Sequence, residues 1–520
     1  MDFFDAKAPF LPEIFALHGK WRSQDIAASC GETHLTWQQL TNEAHQFAHG
    51  LAQHGIEGGQ TLGVVMSNGL PMLTTLLGAM AAGVVSVPIN LSVNDDALLG
   101  MLMDAKISAL AVTRDQAQRL NRLRDRLPAS LTLWLCDEPD EGWTPFADLM
   151  ANQPTSLPSV DIHPTLPLNI IYSSGTTGLP KGIVHNHAGR RDWAYDLAIA
   201  LRYHGKSRTL LTLGLYSNIS WVAMLTTLLA GGSVVIHTHF DAFSFLDTVK
   251  HQQITHTAMV PIQFQRIVEA IEQTTDAIDL SSMQSMMSCG SPLHADVKRA
   301  LFKQFDCGII ELYGLTEGVI TTIDPEQSEG RWSSVGKPLI GTDILILDDE
   351  DRPAPANKSG EIVSRGRITM PGYLNREDAN RDASYTDPHG RLWLRTGDIG
   401  YLDDAGFLYI VDRKKDMILS GGQNIYPQDI EAVLFQHPAV NDVAVIAAAS
   451  RKWGETPVAL VVRNADTRDD ATAIMTWANQ KLGRQQRITD VIFIDELPRN
   501  PNGKILKREL RARYAQDQYH

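Results

Sequence analysis

The chain reads as an α/β protein: a large N-terminal domain of two doubly wound α/β subdomains plus a small β-barrel, then a small, mobile α+β lid domain at the C-terminus. Three observations predict this. Two stretches alternate strand-type and helix-type apolar patterns; a middle stretch breaks into short strands with turn signals; and the last hundred or so residues follow a charged knot, Asp412-Arg413-Lys414-Lys415-Asp416. A length of 520 residues exceeds what one core serves, since single cores stop growing near about 250 to 300 residues. The expected domains are residues 1–412 and 413–520.

The elements follow in order. From Thr61 the pattern predicts a strand at 62–66, an apolar helix at 71–82, a strand at 84–89 and, after another helix, a strand at 109–113. The same alternation returns after a Gly/Thr-rich loop: strand 233–238, helix 243–252, strand 257–260, a helix from 262, strand 286–289, a helix from 295 and strand 308–312. Residues 209–240 carry no Asp, Glu, Lys or Arg, which imitates a membrane span. Ser217, Asn218, Ser220, two histidines and the Gly231-Gly232 break favour a buried helix followed by a strand. Short strands at 343–347, 361–364 and 407–411 make the small all-β unit, the last preceded by the turn Asp403-Asp404-Ala405-Gly406. Helices at 427–436, 471–482 and 506–515 belong to the lid, which the charged knot would let pivot.

With 43% hydrophobic and 20% charged residues, most of the chain can bury enough apolar surface to fold. The 46 basic and 60 acidic residues leave a net charge of -14, which argues against nucleic acid or anionic lipid as general partners. A phosphate site must therefore be local. Cys30, Cys136, Cys289 and Cys307 form no CxxC pair, and the N-terminus shows no signal or transit pattern, so a reducing, cytoplasmic setting without an integral membrane segment is expected.

The chemistry concentrates in Ser173-Ser174-Gly175-Thr176-Thr177-Gly178-Leu179-Pro180-Lys181-Gly182, directly after the apolar run Leu168-Asn169-Ile170-Ile171-Tyr172. A chain leaving a buried strand into Ser, Gly and Thr offers hydroxyls and backbone N–H groups to phosphate oxygens, and Lys181 adds positive charge. The loop is not of the Walker type, because Pro180 precedes Lys181 and Gly182 follows it. Further blocks fall at strand ends or turns: Ser288-Cys289-Gly290-Ser291-Pro292-Leu293, Glu311-Leu312-Tyr313-Gly314-Leu315-Thr316-Glu317, Pro371-Gly372-Tyr373-Leu374-Asn375, Trp393-Leu394-Arg395-Thr396-Gly397-Asp398, and Pro498-Arg499-Asn500-Pro501-Asn502-Gly503-Lys504-Ile505.

In this order and spacing the blocks resemble the adenylate-forming superfamily of acyl-CoA synthetases, peptide-synthetase adenylation domains and beetle luciferases, over nearly the whole chain. The resemblance implies ATP binding by Ser173, Ser174, Gly175, Thr176, Thr177, Gly178, Lys181, Gly290, Ser291, Glu311, Tyr313, Gly314, Thr316, Asp398, Arg413 and Lys504. Tyr313 would stack on adenine, with Gly290 and Gly314 permitting close approach, and Asp398 would hold the ribose hydroxyls beside Arg413. Glu317, helped by Thr176, would ligate Mg²⁺. Lys504, by itself a plain surface lysine, becomes a mobile catalytic group that bridges acyl carboxylate and α-phosphate. Catalysis would thus rest on Lys504, Thr176 and Glu317.

The implied reaction joins a carboxylic acid to coenzyme A through an acyl-adenylate, with ATP and CoA as co-substrates; the lid pivots at Lys415, and Ser420, Gly421, Gly422 and Gln423 line the thiol path. The chain departs from the commonest pattern where Gly214-Leu215-Tyr216-Ser217 stands for a Pro-Leu-aromatic-His block, and where Gln423 replaces a glutamate. Ser217 for a bulky His widens the expected acyl pocket, assigned to Tyr216, Ser217, Ile219, Ser220, Trp221 and Gly314, and favours a hydrophobic fatty or aryl carboxylic acid over acetate. Loading of a carrier-protein phosphopantetheine, oxygenase chemistry and a non-catalytic nucleotide sensor are the alternatives, and a homodimer stays open. Ser334-Val335-Gly336-Lys337 has S-x-x-K spacing without the accompanying S-D-N or K-T-G. No HExxH occurs, and His185 and His187 read as structural or acyl-pocket residues rather than zinc ligands.

Overall fold

Runs of Val, Leu and Ile between Gly and Pro punctuation build the parallel strands. In Thr61–Val65 four of five residues are buried, so both faces are covered. The next helix, Leu70–Ala81, has Pro71 in its first turn, where a missing N–H costs nothing, and is buried all round except at Pro71. Val85–Pro88 then returns parallel to Thr61–Val65. The computed structural model describes residues 8–136, 140–173, 180–274, 278–420, 423–464, 467, 469–484, 486–500, 503–515 and 519.

The chain divides into two compact units, one comprising Met1–Trp332, Pro338–Asp343 and Arg365–Ser384, the other Ser333–Lys337, Ile344–Ser364 and Tyr385–His520. The first unit holds two sheets. One runs Gly372–Tyr373, Gly182–Asn186, Pro167–Tyr172, Val85–Pro88, Thr61–Val65, Ala109–Val112, Thr132–Leu135, Thr144–Pro145. The other runs Ile320–Ile323, Ile310–Gly314, Ser285–Ser288, His256–Met259, Arg208–Leu211, Ser233–Ile236, Ile26–Cys30, Thr33–Thr36. Both are mainly parallel, with antiparallel strands toward an edge, as the α/β alternation predicts. A common core that includes Phe47, Leu73, Leu76, Trp221 and Leu225 packs between their helices.

The charge-free stretch resolves into the helix Asn218–Ala230, buried along most of its length, and the strand Ser233–Ile236, with left-handed Gly231 ending the helix. Its apolarity is that of a buried element, and among the described residues no helix is long and apolar enough to cross a membrane.

Thr342–Leu347, Gly360–Gly366, Leu392–Leu402, Leu408–Arg413 and Ser334–Pro338, which fall mostly in the second unit, are ordered as an open path where the sequence suggests a small barrel. The C-terminal part is α+β: Gln423–Ile425, Ile418–Ser420, Gly454–Arg463 and Val440–Ser450 in one sheet, Asp490–Phe493 added beside Gly454–Arg463, and helices Pro427–Leu434, Ala471–Lys481 and Lys507–Tyr514. The packing division lies upstream of residue 412 because Leu392–Leu402 and Leu408–Arg413 pair as one antiparallel ribbon.

Candidate functional site

Pro167–Tyr172 and Gly182–Asn186 pair antiparallel, and the Ser173 N–H donates to the Lys181 carbonyl at 3.0 Å, closing the neck of the Gly/Thr loop. Ser174, Gly175, Thr176, Thr177 and Gly178 lie outside the described residues. Lys181 Nζ stands 4.7 Å from the ring centroid of Tyr373, whose strand Gly372–Tyr373 is registered Tyr373 against Ile183. The Tyr373 hydroxyl donates to Glu317 Oε1 at 2.9 Å. Cation, phenol and carboxylate thus form one chain across 136 residues of sequence, Lys181 to Glu317.

Glu317 sits in the tight connection between Ile310–Gly314 and Ile320–Ile323. Leu315 N–H donates to Val319 O and Gly318 N–H to Leu315 O, both at 3.1 Å. Gly318 has φ +122°, and a Cβ there would lie 2.5 Å from the Ile368 oxygen and the Thr369 Cα, so only glycine fits. Met370 N–H donates to Glu317 O and the His185 ring to Thr316 O, each at 2.8 Å. His185 is buried, and burial, with Arg190 adding to it, holds its imidazole well below its usual value. No cluster of three or more His, Cys, Asp or Glu side chains suited to a metal exists among the described residues. One hard carboxylate still fits Mg²⁺, which binds through one or two carboxylates while water and substrate phosphates complete its shell.

Ser285–Ser288 and Ile310–Gly314, which lead to the candidate nucleotide residues, are neighbouring parallel strands in the register Ser288 to Glu311. Their C-terminal ends place Gly290 and Ser291 beside the edge carrying Tyr313, Gly314 and Thr316, where ligands bind in open α/β sheets. Gly290 is left-handed at φ +99°. The Glu311 carboxylate is buried, accepts from Leu293 N–H at 3.3 Å and pairs with Lys298; burial raises its pKa although Lys298 opposes this. It fastens the helix Ala295–Gln304 to the strand.

The acyl candidates occupy the start of Asn218–Ala230. Ser217 is buried as its N-cap, accepting from Ile219 N–H at 3.3 Å; Ser220 Oγ donates to Gly214 O at 2.9 Å and Trp221 Nε1 to Leu215 O at 2.8 Å. Trp221 and Ile219 are buried, whereas Tyr216 keeps partial exposure. The segment is therefore tied to itself, and its serines serve the backbone.

In the second unit Asp398 and Arg413 face each other across two strands, with Arg413 Nε 2.6 Å from Asp398 Oδ1. Lys504 stands on a tight turn: Asn500 N–H donates to Lys504 O at 2.9 Å, Gly503 N–H to Asn500 O at 2.8 Å, and Gly503 takes φ +77°. Burial, with Arg413 and Lys415 adding to it and Asp398 and Asp416 opposing, lowers the Lys504 ammonium to about 8. Lys415 is lowered by burial too, and Asp416 is held by Arg511 at 2.9 Å. Four cations, Arg413, Lys415, Lys504 and Arg511, around the carboxylates of Asp398 and Asp416 leave an excess of positive charge, suited to an anionic ligand. Ser420 is buried and Gln423 exposed, paired across a hairpin; Gly421 and Gly422 lie outside the described residues.

The structure brings Lys181, Thr316 and Glu317 together in one unit, and Asp398, Arg413, Lys415 and Lys504 in the other. Sequence reasoning quoted the Pro371–Asn375 block without giving Tyr373 a task, and left Arg190 unremarked. The block itself was the available signal for Tyr373; for Arg190, a basic residue in an otherwise burying pattern was the only one.

Residues 17–374 match the family described as AMP-binding enzyme, and residues 429–504 match the AMP-binding enzyme C-terminal domain. The chain is 30% identical over 495 residues to a feruloyl-CoA synthase of Amycolatopsis, covering 93% of this chain and 95% of the relative. It is 30% identical over 503 residues to a long-chain-fatty-acid–CoA ligase of Mycobacterium tuberculosis, covering 95% and 96%. The solved o-succinylbenzoate CoA synthetase of Bacillus subtilis, in complex with its acyl-adenylate intermediate, superposes with a TM-score of 0.83 at 26% identity, covering 96% of this chain and 98% of that one. Matched over most of its length by both family domains and by these relatives, the chain belongs to the adenylate-forming family of AMP-binding enzymes.

Proposed function

We propose that the protein is an AMP-forming acid–thiol ligase that converts a hydrophobic fatty or aryl carboxylic acid, ATP and coenzyme A into acyl-CoA, AMP and diphosphate through an acyl-adenylate. The observation that carries this reading is the gathering of Lys504 with Arg413, Lys415 and Asp398, a partly desolvated ammonium in a region of excess positive charge. Such a group stabilises negative charge that builds up when a carboxylate attacks the α-phosphorus in line. In this reading Asp398 accepts hydrogen bonds from the ribose hydroxyls, with Arg413 fixing its orientation. Lys181 and the Ser173–Gly178 loop hold the phosphates. Magnesium bound beside Glu317, with Thr176, would supply positive charge to the departing diphosphate. Residues 413–520 form the moving lid, hinged at Lys415, and Ser420 to Gln423 border the thiol path in the second half-reaction.

The names of the relatives, one acting on an aryl acid and one on fatty acids, support a hydrophobic acid without choosing between the two. Pyrophosphate exchange screened over acetate and short, medium, long-chain, aryl and polycyclic acids tests the proposal. Exchange with bulky hydrophobic acids at least about tenfold above acetate is expected, since each extra buried methylene is worth roughly 1 to 3 kcal/mol in a fitted pocket. Equal efficiency for acetate would overturn the substrate class, and no exchange with any acid would overturn the reaction. Thioester formation with free CoA, compared with a phosphopantetheinylated carrier, tests the thiol acceptor.

A further inference from the structure

Arg190 lies in the helix His187–Ala200 and is buried, with 1% of its surface exposed. No carboxylate pairs with it among the described residues; it meets neutral acceptors instead. Nε donates to Asn169 Oδ1 at 3.0 Å, and Nη2 donates to Asn218 Oδ1 at 2.8 Å and to His185 Nδ1 at 3.1 Å. The guanidinium stands 4.6 Å from the Trp193 ring centroid and 5.2 Å from that of Trp221. Burying a cation without an anion is costly, and a neutral side chain of similar volume would fill the same space at lower cost. The position therefore calls for a forked donor that reaches Asn169, Asn218 and His185 at once and cannot act as an acceptor.

We propose that Arg190 is a positioning residue for Glu317, acting through His185. The argument is one of hydrogen-bond direction. A guanidinium only donates, so the His185 Nδ1 facing it must carry the lone pair, and the ring proton must reside on Nε2. Nε2 faces the Thr316 carbonyl at 2.8 Å, and a carbonyl only accepts. Both bonds form with this tautomer; the other one would set donor against donor at Arg190 and acceptor against acceptor at Thr316. Arg190 thus fixes the ring state that grips the peptide leading into Glu317. Beyond that residue Met370 N–H holds the Glu317 carbonyl at 2.8 Å, and Tyr373 holds the carboxylate at 2.9 Å. The peptides on both sides of Glu317 and its side chain are each fastened by a distant part of the chain.

This inference rests on the proposed role of Glu317 at the metal–phosphate site, and the test separates the two. Free Mn²⁺ is counted by electron paramagnetic resonance as it is titrated into full-length protein with a non-hydrolysable ATP analogue. Glu317→Gln weakens Mn²⁺ uptake at least tenfold if that role is right. Arg190→Met and His185→Leu are each expected to weaken it about tenfold, with the KM for the carboxylic acid unchanged within twofold. His185→Gln, whose amide can accept from Arg190 and donate to Thr316, stays within threefold of wild type. The double variant Arg190→Met/His185→Leu is no worse than either single one, as members of one relay require. If Glu317→Gln weakens uptake while His185→Leu does not, the positioning role alone is overturned. If Glu317→Gln has no effect, the metal reading falls and takes the inference with it. A rise in acid KM without loss of Mn²⁺ in Arg190→Met overturns the relay and makes Arg190 an acyl-site cation. Should Arg190→Met fail to fold, the contrast between His185→Gln and His185→Leu decides alone.

Discussion

In the proposed role Lys504 acts as an ammonium that stabilises charge at phosphorus, and burial lowers its pKa to about 8. A lysine whose value is depressed is protonated below that value and neutral above it, so adenylate formation should fall as pH rises through about 8. Lys504→Arg, which keeps its charge, should move that fall to higher pH, as pyrophosphate exchange across pH 6.5 to 10 can read. Lys504→Ala should depress exchange by about 10²-fold or more, in the range of lost transition-state charge stabilisation, while thioester formation from supplied acyl-adenylate persists. Tyr373→Phe removes a neutral donor from a charged acceptor, typically about 1.5 to 3 kcal/mol. Roughly tenfold or greater loss in the adenylation half-reaction is the expected result, with a melting temperature only a few degrees lower. The Lys181, Asp398 and Lys504 blocks were legible because each has fixed local spacing. The Tyr373–Glu317 bond spans 56 residues, and the Arg190–His185–Thr316 chain exists only once helix, strand and turn have met.

At the level of elements, apolar runs bounded by Gly and Pro made the strands readable to within a residue or two. The predicted strand 62–66 is Thr61–Val65, and the predicted helix 471–482 is Ala471–Lys481. End residues shift because caps and ladder bonds, rather than hydrophobicity, decide where an element stops. The helix Trp37–Gln53 escaped notice although Thr36 and Gln39 form a capping box at its start. The Glu317 turn depends on Gly318: alanine there would strain φ and push Cβ into backbone, so Gly318→Ala should lower stability by about 2 kcal/mol or more, checked by urea unfolding. Asp412, the first residue of the charged knot, is raised to about 6, chiefly by burial, with Lys507 opposing. A carboxyl whose folded value is raised keeps its proton longer in the folded state, so stability drops as pH climbs from about 4 to 6. Asp412→Asn escapes that penalty but leaves one of the Arg413 and Gln428 N–H donors without its carboxylate oxygen, so it should gain on wild type in stability as pH rises from about 4 to 7.5. The gain should shrink as pH falls through 6 towards 4 in paired unfolding curves.

For the whole molecule, ligand binding and folding are linked. ATP at a hundred times its Kd should add about 2.7 kcal/mol to stability, seen as a higher melting temperature. Asp398→Ala should abolish most of that shift, in a protein that still unfolds cooperatively but at a lower temperature, because Arg413 loses its buried partner. The net charge of -14 coexists with the local cationic cluster around Lys504, so an acidic chain overall still gathers positive charge where the proposed function needs it. The polypeptide passes between its two compact units five times, at 332/333, 337/338, 343/344, 364/365 and 384/385. Recombination with a related gene inside that interval would therefore hand each unit mismatched strands from two parents. Viable chimaeras should have their crossover points between Arg413 and Ile418, where the sheet that runs from Ile418 to Phe493 passes whole from one parent, which makes the C-terminal hundred residues the natural currency of exchange among such genes.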